Sequence, residues 1–310
     1  MTCLIFGACG FCGVHLARKL SELKGARVVG ADVLPEPPAG LPLDLYERVD
    51  ISDAEEVAGL IRKVSPEWVF NLAALTAGQP QAIYSVNVMG VVNLLEALRM
   101  HAPESRTVQV GSAAEYGRVA ESDNPVTEDH PCRPIGHYGV SKYAATQAAL
   151  TYQARDSLKV VVVRPFNIIG AGIPESLVVG AVIARARQAL ASGMDVVRVG
   201  NLDTQRDFIS VQDAVNAYTQ AIQSDNWGKV FNICSGRPLT IREVVELALS
   251  HAPRPISLEV DASLVRADDV RCVYGSWERA HDAFGFRPTA GIGEAVADAW
   301  ERACGTTAGR

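Results

Sequence analysis

No stretch of this sequence is apolar over the ~20 residues that a membrane-spanning helix requires, so a helical membrane protein is not expected. Positive charge is not in excess either. Lys and Arg number 29 against 35 Asp and Glu, a net charge of −6, which argues against a general binder of nucleic acid or of an anionic membrane surface. An anionic small ligand would have to be held by specific arginines. Cysteine is scattered and odd in number, at seven, as suits a reducing cytoplasm. There is one C-x-x-C, Cys9-Gly10-Phe11-Cys12, and the nearest further cysteine is Cys3. Four zinc ligands cannot be assembled from that pattern, and the histidines show no metal spacing, so no metal is expected. Met1 leads directly into an apolar strand, which leaves no room for a secretory leader. The expectation is a cytoplasmic protein that acts on neither nucleic acid nor membrane.

What the sequence does have is Gly7-Ala8-Cys9-Gly10-Phe11-Cys12-Gly13, set between an apolar run, Cys3-Leu4-Ile5-Phe6, and a helical pattern from Val14 to Leu20. A strand, a glycine-rich turn and a helix form the phosphate-cradling element of a dinucleotide site. Gly7 allows the tight turn, Gly10 lets backbone approach a pyrophosphate, and Gly13 lets the helix pack close to the strand. The helix N-terminus adds unpaired N–H groups and a partial positive charge. Phe11 and Cys12 lie in the same turn. The two cysteines read as small side chains tolerated there, with a low-pKa thiol as a side effect. A second strand ends at Asp32, whose carboxylate can accept hydrogen bonds from ribose hydroxyls and would repel a 2′-phosphate. NAD(H) is therefore expected to be preferred, with NADP(H) as the alternative.

The chain alternates strand and helix up to Asn167, which predicts a parallel sheet covered on both faces. A third strand ends at Val49-Asp50-Ile51, and Ser52 is expected to cap a helix to Val64. Asp50 is placed to meet the adenine amino group. Trp68 to Ala74, through Leu72-Ala73-Ala74, reads as a buried parallel strand followed by small residues, which would let a cofactor lie across the strand end. Asn71 is either a cofactor-shell group or a polar residue satisfied in the core. Ser85 to Leu98 is apolar on more than one face, which fits a subunit interface or burial between the sheet and a neighbouring helix. After Gly170 the rhythm changes into a smaller lobe, partly interleaved with the first. The expected fold is α/β: a doubly wound parallel sheet of Rossmann type over 1–167, with a C-terminal substrate lobe over 168–310.

Tyr138-x-x-x-Lys142, on one helix face, with Ser112 upstream, is a proton-transfer set. A tyrosine of ordinary pKa ~10 needs a nearby positive charge to work at neutral pH. Ser112 can hold the same substrate oxygen. His137, next to Tyr138, reads as a loop residue, with a proton relay as the alternative.

These features together resemble the extended short-chain dehydrogenase/reductase family of NAD-dependent sugar-nucleotide epimerases, dehydratases and reductases. The resemblance covers nearly the whole chain and includes Gly7-x-x-Gly10-x-x-Gly13, Asp50-Ile51, Asn71 to Ala74, Ser112 four before Tyr116-Gly117, Tyr138-x-x-x-Lys142, Arg164-Pro165-Phe166-Asn167 and Arg206-Asp207-Phe208. The second half looks most like the GDP-4-keto-6-deoxy-mannose reductases, through Thr127 to Pro131, Val199 to Leu202, Asn232 to Gly236 and Thr240 to Glu243. It departs from them at Ala114, often acidic there, and at Arg271, where they tend to have proline. The resemblance implies reduction of the 4-keto group of a nucleotide-diphospho-6-deoxy sugar by a homodimer. Ser112, Tyr138 and Lys142 would be catalytic, and Ser112, Asn167, Arg206 and Arg266 would face the substrate. Forked guanidinium groups at Arg206 and Arg266 suit a diphosphate. The same three catalytic residues would also serve a 4-epimerase. A non-catalytic dinucleotide sensor would not need Tyr138 and Lys142. Dehydratases of this family carry an acid–base pair directly after the hydroxyl residue, and here those positions are Ala113 and Ala114, so no dehydratase activity is expected. Glu115, on a strand-like segment, is expected to point to the other side.

Overall fold

The computed structural model describes residues 1–264 and 270–305. Six strands from the first half enter one sheet: β1 (Thr2–Phe6), β2 (Arg27–Asp32), β3 (Leu45–Arg48), β4 (Trp68–Asn71), β5 (Arg106–Val110) and β6 (Lys159–Pro165). A seventh strand of this sheet comes from much later in the chain, at Val230–Ile233. The order runs from that late strand through β6, β5, β4, β1 and β2 to β3, and every neighbour is parallel. The fold is thus α/β with a Rossmann-type sheet. The order reverses between β1 and β4, and in open parallel sheets the crevice at such a reversal takes the ligand, at the carboxyl ends of the strands.

Both faces are covered because the strands are apolar throughout, Lys159-Val-Val-Val-Val-Arg164 being the extreme case. α1 (Phe11–Ser21) packs on one face, and α2 (Ala54–Val64) and α4 (Gly90–His101) pack on the other. Residues 57, 60, 61 and 64 of α2 are its buried stripe, at the i, i+3, i+4, i+7 spacing. Its cap is Asp53, not Ser52: the Asp53 carboxylate accepts from the N–H of Glu55 and Glu56, while the Ser52 hydroxyl is spent on Asp50. α3 (Pro80–Tyr84) leads through a π turn over 85–89 into α4, so Pro80–His101 is one helical run. By length and composition this run is apolar enough to cross a membrane, contrary to the sequence expectation. Its burial argues for a core helix instead. Leu94 and Leu98 face the α2 layer, while Val91 and Leu95 pack towards α5 (Gly136–Asp156). The doubly apolar pattern is therefore explained by burial between two layers.

The second half adds β7 (Asn167–Ile169), α6 (Val178–Ala191), β8 (Val196–Val199), β9 (Gln205–Ser210), α7 (Val211–Gln223), β10 (the late strand, Val230–Ile233), β11 (Pro238–Thr240), α8 (Ile241–Leu249), β12 (Ser257–Val260), β13 (Cys272–Val273), α9 (Glu278–Phe284) and α10 (Ile292–Cys304). β7, β11 and β13 all pair with β9 in a small mixed sheet, and β12 pairs with β8. A separate apolar cluster from α6, α8 and α10 holds this lobe together. α7 does not join it. Its Val211, Ala214, Val215, Tyr218 and Ile222 share a cluster with α1 on the main sheet.

Candidate active site

The turn after β1 is built by backbone approach. Gly7 has φ +77°, and it and Ala8 donate to the Ala31 carbonyl at 2.9 and 3.2 Å, which ties the turn to the end of β2. A Cβ on Gly7 would lie 2.8 Å from the Ala73 nitrogen, and one on Gly13 would overlap the Gly7 carbonyl oxygen. The turn therefore sits between the ends of β1 and β4, where the strand order reverses. Gly10 is the N-cap of α1 and offers no side-chain cap, so the first-turn N–H groups of Phe11, Cys12 and Gly13 are left to an outside acceptor. This arrangement fits a dinucleotide pyrophosphate. The thiols do not become acidic: burial pushes Cys9 up, and pushes Cys12 up to about 12.

Asp32 ends β2 with both oxygens oriented, one accepting from Cys9 N–H at 3.0 Å and the other from Leu34 N–H at 3.3 Å. Asp50 is exposed and accepts from the N–H and hydroxyl of Ser52, and Ile51 beside it is buried. Asn71 is a core residue: it is fully buried, its amide donates to Gln109, and its oxygen accepts from Ala73 N–H at 3.2 Å. It thereby shapes the Leu72-Ala73-Ala74 exit of β4. Asn87 was not anticipated. From the π turn it bonds both backbone groups of Leu75 and the Ser141 hydroxyl on α5, next to Lys142. The signal was an asparagine, Asn87, between Val86 and Val88 in a mostly apolar helical run.

Ser112, Tyr138 and Lys142 come together where β5 ends and α5 begins. Burial pushes the Tyr138 phenol's pKa up, and the Ser112 side chain beside it opposes the shift. Lys142 is buried, donates to the Val110 carbonyl, and is pushed down to about 8 by desolvation. His137 lies in the first turn of α5 rather than in a loop, and bonds the Tyr84 hydroxyl at 3.2 Å. Residues 113–115 form a 3₁₀ turn, not a strand-like segment. Glu115 consequently turns inward, and its buried carboxylate accepts from Ser112 N–H at 2.8 Å. Ala113 and Ala114 occupy the positions where a dehydratase would need an acid and a base.

On the lobe side, the Asn167 amide donates to the Asp207 carbonyl at 2.7 Å, and Arg206 donates to the Gln205 and Val270 carbonyls at 2.8 and 2.6 Å. Arg266 lies outside the described residues. Asp207 is fully buried, and its two oxygens collect Ser235 N–H, Ser235 hydroxyl, Gly236 N–H and Gly275 N–H. Burial still pushes its carboxyl up to about 6. It fastens three segments of the lobe beside Arg206. Among the described residues no cluster of His, Cys, Asp and Glu could hold a metal ion.

Residues 3–234 match the model of the NAD dependent epimerase/dehydratase family. Along 96% of both chains the protein is 32% identical to GDP-6-deoxy-D-mannose reductase of Pseudomonas aeruginosa. It is 28% identical to a UDP-glucose 4-epimerase of Halalkalibacterium halodurans, covering 93% of this chain and 91% of that one. Among solved structures, RMD from Pseudomonas aeruginosa complexed with NADPH superposes with a TM-score of 0.86 at 29% identity, covering 99% of this chain and 100% of that one.

Proposed function

We propose that this chain, which belongs to the NAD dependent epimerase/dehydratase family, reduces the 4-keto group of a nucleotide-diphospho-6-deoxy sugar with a reduced nicotinamide dinucleotide. The observation that carries the reading is the Tyr138 phenol beside Ser112, one helical turn from a buried Lys142, at the carboxyl end of β5, next to the switch-point strand β4. Similarity to a GDP-6-deoxy-D-mannose reductase supports this substrate class. Residues 1–167 would carry the dinucleotide: Gly7, Gly10 and Gly13 with the α1 N–H groups on the pyrophosphate, and Asp32 on the adenosine ribose. Asp50, Ile51 and the Leu72-Ala73-Ala74 exit would line the rest. Residues 168–310 would supply the sugar-nucleotide side, with Asn167 at the junction and Arg206 and Arg266 on the diphosphate. We take the working form to be a cytoplasmic homodimer.

When bound, the dinucleotide supplies the hydride. The protein's share is positioning and proton transfer. Ser112 holds the keto oxygen, and Tyr138 gives its phenolic proton to that oxygen as charge develops on it. Lys142, cationic below about pH 8, favours the phenolate left behind. Ala113 and Ala114 can move no proton at C5 or C6, so dehydration is not supported. A 4-epimerase is the second reading, favoured by the similarity to UDP-glucose 4-epimerase and by the same three residues. The deciding experiment supplies a 4-keto sugar nucleotide with excess NADH. Stoichiometric NADH consumption supports the reductase. Interconversion of two 4-hydroxy sugar nucleotides without net cofactor change would replace it with the epimerase.

A further inference from the structure

A fully buried ion pair lies directly behind the proposed proton-transfer set. The Glu115 carboxylate accepts from Ser112 N–H at 2.8 Å, from the Thr146 hydroxyl at 3.0 Å and from Arg164 Nε at 2.8 Å, with a second Arg164 nitrogen at 2.8 Å. The Ser112 contact is half of a reciprocal cap, since the Ser112 side chain also caps the 113–115 turn. Thr146 continues the Tyr138–Lys142 face of α5, one turn further on at the i, i+4 spacing. Arg164 comes from the adjacent strand β6, and its guanidinium lies over the Tyr116 ring at 4.9 Å. Gly111 makes room for the carboxylate: a Cβ there would collide with Glu115 Oε1. One side chain thus fastens the Ser112 turn, helix α5 and strand β6 to each other.

We propose that Glu115 is a positioning residue for Ser112, Tyr138 and Lys142, its carboxylate fixing the Ser112 turn against α5 and setting the negative charge that Lys142 faces. The inference rests on the reading of those three residues as the proton-transfer set. The groups facing one another here come from several elements. Arg164 on β6 and Cys132 in the loop before α5 face Glu115, and Tyr138 and Lys142 face it from α5. Cys12 of α1 faces Tyr138, and Tyr218 of α7 faces both. Burial pushes these thiols and phenols upward, so they stay neutral near neutral pH. Burial also pushes the Glu115 carboxyl up, and Arg164 together with the Ser112 and Thr146 donors opposes this. An arginine remains protonated in such a site, so the pair is ionic. Glu115 is the ionised neighbour that offsets the desolvation of Lys142.

The test is a titration of Lys142 in the whole protein without substrate. The chain has six lysines. With ¹³Cε-labelled lysine the Lys142 resonance is assigned by its loss in Lys142→Met, and its midpoint is expected near 8. In Glu115→Gln the midpoint should fall by about one pH unit or more, because an opposing charge has been removed. The basic limb of kcat should move the same way, with NADH affinity unchanged and kcat, not KM, carrying the loss. Glu115→Gln leaves Arg164 buried and uncompensated, which costs stability. Glu115→Gln with Arg164→Met keeps the core neutral; because a cation is removed with the anion, its midpoint is compared with that of Arg164→Met alone, and should lie below it. A midpoint that stays in place in Glu115→Gln relative to wild type, or in the double variant relative to Arg164→Met, overturns the proposal and leaves Glu115 as packing alone. This readout is independent of turnover. Failure of the reductase reading would show itself separately, as a wild-type protein that leaves NADH unconsumed or a Tyr138→Phe variant that retains activity.

Discussion

Replacing Gly13 by alanine adds one methyl group, and the structure says where it goes. It would overlap the Gly7 carbonyl oxygen and lie 2.8 Å from both the carbonyl carbon and oxygen of Ala8. These are backbone atoms, and they cannot swing away as a side-chain tip could. The Gly7–Ala8 turn is held by its bonds to Ala31, so relief means lengthening those bonds or moving α1 off β1. Overpacking of this kind costs about 1–3 kcal/mol. The displaced atoms are also those that would cradle the pyrophosphate. If the cradle bears the same strain, NADH affinity falls about tenfold or more, since each 1.4 kcal/mol is tenfold. Gly59 is the internal control. It lies inside α2 and a Cβ there meets nothing within 4 Å. Gly59→Ala should therefore stabilise the protein by about 0.5–1 kcal/mol by removing glycine's excess freedom. Urea unfolding of both variants, with NADH titration by fluorescence, measures the two effects separately. If Gly13→Ala unfolds at the wild-type urea concentration and binds NADH with wild-type affinity, the close-approach argument is wrong.

Tyr138→Phe should lower turnover about 10²–10⁴-fold, the usual worth of a positioned acid, while NADH binds as before; a loss under tenfold in steady-state assays would remove Tyr138 from the mechanism. The wild-type protein should bind NADH more tightly than NADPH, and Asp32→Ala should narrow the gap; parallel fluorescence titrations check this, and tighter NADPH binding by the wild type would refute it. Arg206→Ala should weaken nucleotide-sugar binding by about 2–4 kcal/mol without changing cofactor affinity, and calorimetry with equal affinities would return Arg206 to its role of bonding the Gln205 and Val270 carbonyls.

Much of this fold was legible because its cues are local. The β-branched run before Arg164, the glycines after Phe6 and the Thr240–Glu243 capping box announce β6, the α1 turn and α8 directly. Three polar residues in a row of potential caps, Asp50, Ser52 and Asp53, hid the true start of α2, because side-chain competition between them is decided only by geometry. β7, β11 and β13 are two or three residues long and take their identity from pairing with β9, which no local pattern encodes. α9 and α10 escaped the sequence reading altogether. At the site, Ser112, Tyr138 and Lys142 were visible by spacing, and the structure places them in one locality. Glu115 was misread because alternation assumes a strand, whereas a 3₁₀ turn rotates the residue inward to meet Arg164 from a distant part of the chain.

The placement of β10 has a consequence for the nascent chain. β6 is complete at Pro165, yet the strand that covers its open edge ends only at Ile233, and α7 reaches the sheet face just before it. During synthesis the parallel sheet therefore stands with an unpaired edge and a bare apolar face while the intervening lobe is made. Domains usually fold as units in order of emergence. Here the first half cannot settle alone, and stalled or truncated products ending near Asn167 would present a sticky strand edge to one another.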